Sequence, residues 1–171
     1  MPHPLSSLGV VHTALSLVPV MAGLYGFVRF HRIEPADRSG RIYLVGLALS
    51  VLTSFGLSST GGINPGHVLG VLALLAAFGG ALLVPRLRFL GGLVPYLRTL
   101  GLSASFFLLL VPGINETLTR LPASAPLAKG PEDPLVQTSL LAWLLVFLIG
   151  FALQVREARA ARRVRAGALP G

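Results

Sequence analysis

Five long apolar runs, each closed by polar, glycine or proline breaks, set the rhythm of this chain. They extend from about Ser6 to Phe30, Ile42 to Ser59, Pro65 to Val84, Thr99 to Leu118 and Leu135 to Val155. About 20 apolar residues suffice for a helix to cross the hydrocarbon core of a bilayer. The pattern therefore predicts an all-α fold, a polytopic transmembrane helical bundle of five spans. Residues 1–155 form that bundle and residues 156–171 a basic tail that continues the last helix before fraying.

Within the runs, small and polar residues recur at helical spacing. His12, Ser16, Pro19, Gly23 and Gly26 fall on one side of the first span. This side should face protein and not lipid. Gly46, Ser50, Ser54 and Ser58 recur every fourth residue in the second span, and Gly66, Gly70, Ala73, Ala77 and Gly80 mark a face of the third. Small residues let backbones approach closely. Spans two and three are thus expected to pair as a hairpin, Gly46, Ser50 and Ser54 against Gly70, Ala73 and Ala77.

The turn of that hairpin is Ser59-Thr60-Gly61-Gly62-Ile63-Asn64-Pro65-Gly66-His67. Asn64 suits an N-cap, and Pro65 already has the φ that a first helical position needs. His67 then lies in the first turn of the third span. The segment Phe89 to Arg98 is apolar but holds Gly91, Gly92 and Pro95. It reads as an interfacial or re-entrant entry into the fourth span.

Composition supports a membrane protein: 53% of the 171 residues are hydrophobic and 12% charged, against roughly 25% charged in soluble domains. The net charge of +8 is not a nucleic-acid signature, because the arginines sit in short loops and the tail beside apolar runs. Arg29, Arg32, Arg38 and Arg41 flank the first loop; Arg86, Arg88 and Arg98 the third; Arg156, Arg159, Arg162, Arg163 and Arg165 the tail. The second loop has no charge, and the fourth balances Arg120 and Lys129 against Glu116, Glu132 and Asp133. The positive-inside rule then puts the N-terminus outside and the C-terminus in the cytoplasm, in a bacterial cytoplasmic (inner) membrane. The expected surroundings are the lipid bilayer, with partner membrane helices or a homo-oligomer, and no nucleic acid. The absence of cysteine excludes disulfides, thiolate metal sites and thiol catalysis. Met1 to Leu5 lacks the basic start of a signal peptide, so the first span is expected to be retained.

The candidate chemistry lies in one layer. His12, His67 and Glu116 come from three spans and all fall near the outer face in this topology. Polar groups at such depth are functional candidates. Two neutral imidazoles can hold haem b axially, or begin a transition-metal site that Glu116 completes. Each residue also has a plainer use: His12 on a hydroxyl such as Ser50 or on a backbone carbonyl, His67 solvated at the interface, and Glu116 paired with Arg120 at i, i+4. No Asp or Glu sits mid-span, so a carboxylate relay or ion-coupled carrier lacks its usual parts. No phosphate-binding glycine motif and no nucleophilic triad is legible, and no catalytic residue is assigned.

His12, His31-Arg32, Gly40-Arg41-Ile42-Tyr43 and Gly61-Gly62-Ile63-Asn64-Pro65-Gly66-His67 together resemble an uncharacterised group of small bacterial multi-pass membrane proteins. The likeness covers the first half of the chain and implies membrane location without an activity. That group often carries a His-Arg motif after the third span, where this chain has Arg86-Leu87-Arg88. His12 with Ala22-Gly23 is also similar to small haem-binding membrane proteins. A haem- or metal-binding membrane protein using His12 and His67 is thus one expectation. A non-catalytic membrane subunit or scaffold is the alternative, and a small-solute transporter the third.

Overall fold

A computed structural model of the chain describes residues 7–57, 62, 64–122 and 124–167. The main helices are α1 (Ser7–Phe30), α2 (Arg38–Ser54), α3 (Pro65–Phe78), α4 (Val94–Arg120) and α5 (Pro134–Gly167). Short turns lengthen three of them, α4 being preceded by the 3₁₀ segment Arg88–Leu93. A 3₁₀ turn, Phe55–Leu57, extends α2, while a π turn, Gly79–Leu83, and a 3₁₀ turn, Val84–Arg86, extend α3. Five helical segments are consequently long and apolar enough to cross a membrane. Among the described residues there is no strand.

Helix boundaries depart from the hydropathy pattern where polar residues are themselves helical. Helix α2 starts at Arg38, four residues before the apolar run, because Asp37 is extended and the turn after it is already wound. Gly40 permits this start: a Cβ there would strike the Glu34 carbonyl. Of the segment Phe89 to Arg98, Val94–Arg98 is the first turn of α4, while Arg88–Leu93 before it is a separate 3₁₀ segment. Pro95 costs that turn little, since first-turn N–H groups have no partner within a helix. The break lies just before it, where Gly91 takes φ 47°, a left-handed value suited to glycine.

Neighbours in sequence are neighbours in space. Helix α1 packs on α2, α2 on α3, α3 on α4, and α4 on α5, with α1 also touching α4. The core holds Tyr43, Leu47 and Val51 from α2, Ala73 and Ala77 from α3, and Leu102 and Phe106 from α4. Helix α5 joins this core only at its margin, through Trp143. The indole donates to the Phe107 carbonyl at 3.1 Å.

The small-residue row of α2 is shared between two partners. Gly46 faces Pro19 and Val18 of α1, and Ser50 Oγ lies 2.6 Å from Ser16 Oγ, also on α1. Only the far end of the row, at Ser54, meets α3. The expected pairing of Gly46 and Ser50 with α3 is corrected accordingly. A four-residue repeat drifts by about 40° per step on a 3.6-residue helix, so Ser54 points roughly 80° away from Gly46. Helix α3 is approached by Val51 at Gly70, and it crosses α4 where Gly80 meets Gly101.

Candidate functional site: the histidine end of the bundle

Asn64 and Pro65 start α3 as their residue types predict. Asn64 is extended, its side-chain oxygen accepts the His67 N–H at 3.0 Å, and Pro65 opens the helix. The capping box is closed by an unusual member. His67 holds the N3 position where Glu or Gln is common, and its Nδ1 accepts the Asn64 N–H at 3.1 Å. Because Nδ1 accepts, the ring proton is on Nε2. That Nε2–H donates to the Ser54 carbonyl at 2.9 Å. The ring is neutral, buried at 3% exposure, and stacked on Phe55 with centroids 4.7 Å apart. Ser54 is the last residue of α2 before the 3₁₀ turn Phe55–Leu57. One imidazole thereby satisfies a helix start and a helix end. Ser59, Thr60, Gly61 and Ile63 of the turn lie outside the described residues.

His12 turns to the same end of α2. Its Nδ1 lies 2.9 Å from Thr53 Oγ1. The Thr53 hydroxyl donates its own proton to the Leu49 and Ser50 carbonyls, so it accepts from His12 Nδ1–H. The remaining nitrogen, Nε2, has a loose 3.4 Å contact with Ser16 Oγ. The two imidazoles thus close on consecutive residues of α2, His12 on Thr53 and His67 on Ser54.

Glu116 lies within electrostatic range of His12, but its hydrogen-bonding partner is Arg120 one turn on, the i, i+4 pair. Next to it, Asn115 Oδ1 is buried without a hydrogen-bond partner among the described residues. The structure brings His12 and Glu116 into one neighbourhood, while His67 has spent both ring nitrogens on backbone. Among the described residues no three His or acidic side chains are grouped to hold a metal ion.

The other polar contacts form two further levels. Mid-bundle, the Tyr43 hydroxyl donates to Ser105 Oγ at 2.7 Å, because the Ser105 proton goes to the Leu102 carbonyl. At the end opposite the histidine pair, Ser103 Oγ donates to Gln154 Oε1 at 2.8 Å. Gln154 Nε2 in turn donates to the His31 carbonyl at 2.7 Å. His31, at φ 58°, ends α1 and reaches Glu157 at 3.0 Å. Glu34 binds both Arg98 and Arg32. Ser103, Ser105 and Gln154 were not singled out from the sequence, although Gln154, an uncharged amide near the end of an apolar run, was a visible signal.

The chain matches no family model, no curated protein and no solved structure.

Proposed function

We propose that this chain is a non-catalytic subunit or scaffold of the bacterial cytoplasmic membrane, lying N-terminus out and C-terminus in, that associates with partner transmembrane helices. The observation that carries this reading is the fixed state of His67. An imidazole whose two nitrogens are both hydrogen-bonded to backbone, one on each helix of the hairpin, serves the hairpin. Axial haem ligation through His67 Nδ1 would first have to break its bond from the Asn64 N–H, and ligation through Nε2 would break its bond to the Ser54 carbonyl. Helix α5 supports association: it packs chiefly on α4 and leaves Leu141, Leu145, Ile149 and Leu153 exposed along its length. Orientation rests on the arginine-rich ends of α1, α3 and α5.

The test combines a spectrum with cross-linking. Protein purified in mild detergent should show no haem absorbance and no stoichiometric metal. Because the chain has no cysteine, single substitutions along α5 report cleanly in native membranes. Leu145→Cys and Ile149→Cys should cross-link to a partner or a second copy, while Leu17→Cys on α1 should not. A stoichiometric cofactor lost in His12→Ala, or no cross-link along α5, overturns the proposal.

A further inference from the structure

A groove of about 630 Å³ opens on the outside of the bundle between α1 and α2, with neither His12 nor His67 in its lining. Its walls are apolar, with Leu17, Met21, Ala22 and Tyr25 descending α1, and its mouth is polar, formed by Arg38 and Ser39 at the start of α2. We propose that this groove binds one anionic phospholipid, with an acyl chain along α1 and the phosphate at Arg38. The inference rests on the membrane-spanning reading and not on the subunit role.

Three observations agree on that occupant. The first is length. Leu17 to Tyr25 is eight residue steps, about 12 Å of helix, close to the roughly 15 Å of hydrocarbon in one leaflet. The groove thus runs from mid-membrane to one interface, where Tyr25 suits the headgroup level. The second is the state of Arg38. Among the described residues its guanidinium makes no ion pair and no hydrogen bond, unlike the cations around it. Arg41 donates to the Ala36 carbonyl, Arg32 and Arg98 share Glu34, and Arg29 sits over the Phe30 ring. The third is chemistry. A guanidinium binds phosphate by paired, charge-assisted hydrogen bonds, and Ser39 Oγ adds a hydroxyl donor beside it. Asp37, the acid preceding Arg38, uses its side chain for no helix cap, and it weakens the local positive charge without pairing to Arg38.

Full-length protein is exchanged into nanodiscs with equal amounts of phosphatidylglycerol and phosphatidylcholine of identical chains. The lipids it retains on gentle release are then counted by native mass spectrometry. The wild type should retain one phosphatidylglycerol in about fivefold preference, because both lipids offer a phosphate to Arg38 but in phosphatidylcholine the choline cation cancels its charge. Arg38→Gln should lose that preference and keep its helical circular dichroism. Arg88→Gln, an exposed arginine of the third loop outside the groove, should keep it. Met21→Trp, at an already exposed position of the wall, should reduce retention of both lipids. A preference unchanged in Arg38→Gln, an equal loss in Arg88→Gln, or unchanged retention in Met21→Trp overturns the proposal.

Discussion

His67 Nε2 donates to the Ser54 carbonyl at 2.9 Å, and this one bond ties the first turn of α3 to the last turn of α2. The opposite ring nitrogen holds the N-cap backbone, so the side chain joins both halves of the hairpin. His67→Ala removes both bonds; Asn64 is exposed and Ser54 half-buried, so water meets part of the loss and the cost should be about 0.5–1.5 kcal/mol for each bond. His67→Gln keeps a capping-box side chain but not the reach to Ser54, and it should recover about half the loss. Denaturant titration in detergent micelles reads both. Wild-type stability of His67→Ala would show that the clamp contributes nothing.

The α3–α4 crossing depends on two glycines. A Cβ at Gly101 would lie 2.6 Å from the Ala76 carbonyl oxygen, which is backbone and cannot swing away. Gly101→Leu should therefore cost about 3 kcal/mol or more and reduce folded yield. Gly79, one residue before Gly80 on α3, has nothing within 4 Å of its Cβ position. Gly79→Ala should be neutral or slightly stabilising. Equal yields for Gly101→Leu and wild type would refute this crossing.

The sequence was most legible where one residue type has one use. Five apolar runs gave five helices, and Asn64-Pro65 announced the start of α3. The Glu116–Arg120 pair followed from spacing alone. Legibility failed where direction matters. The row Gly46, Ser50, Ser54 is small throughout, but its drift around α2 gives its two ends to different neighbours. His67 looked free to bind a ligand because sequence does not show which atoms an imidazole meets. Its N3 position was readable, and an N3 side chain can turn back onto the cap. The amide of Gln154 and the hydroxyls of Ser103 and Ser105 were equally visible, but their partners depend on helix rotation that hydropathy does not fix.

Topology can be read with reporters. The arginine-rich loops and tail alternate with the uncharged second loop and the mixed fourth loop. Fusions after Arg165 and between Ser124 and Gly130 should therefore report opposite sides of the membrane, cytoplasmic and external respectively. Both on one side would end the five-span arrangement. Exchanging Arg86 and Arg88 for Gln should leave the orientation unchanged, because the first loop and the tail keep their own arginines.

The start of α5 should respond to acid. Asp133 precedes Pro134, repeating the Asn64-Pro65 device, and its carboxylate accepts the Lys129 and Leu135 N–H groups at 3.0 Å each. These backbone donors, with the nearby Lys129 charge, hold its pKa below the ordinary value of 3.8. The folded state thus binds this proton less readily than the unfolded one. Its contribution to stability is complete above the unfolded pKa and is lost as pH falls through the lower folded value. Hydrogen exchange at the Lys129 and Leu135 amides, corrected for the intrinsic rate, should show protection constant from pH 7 to about 5 and falling in stronger acid. Asp133→Asn keeps a capping oxygen but cannot titrate, so its protection should stay flat across the same range. Asp133→Ala should fray the first turn at every pH. Acid-sensitive protection in Asp133→Asn equal to the wild type would assign the effect to another group. The exposed carboxylate also predicts a small effect, shrinking further at high salt as the Lys129 charge is screened.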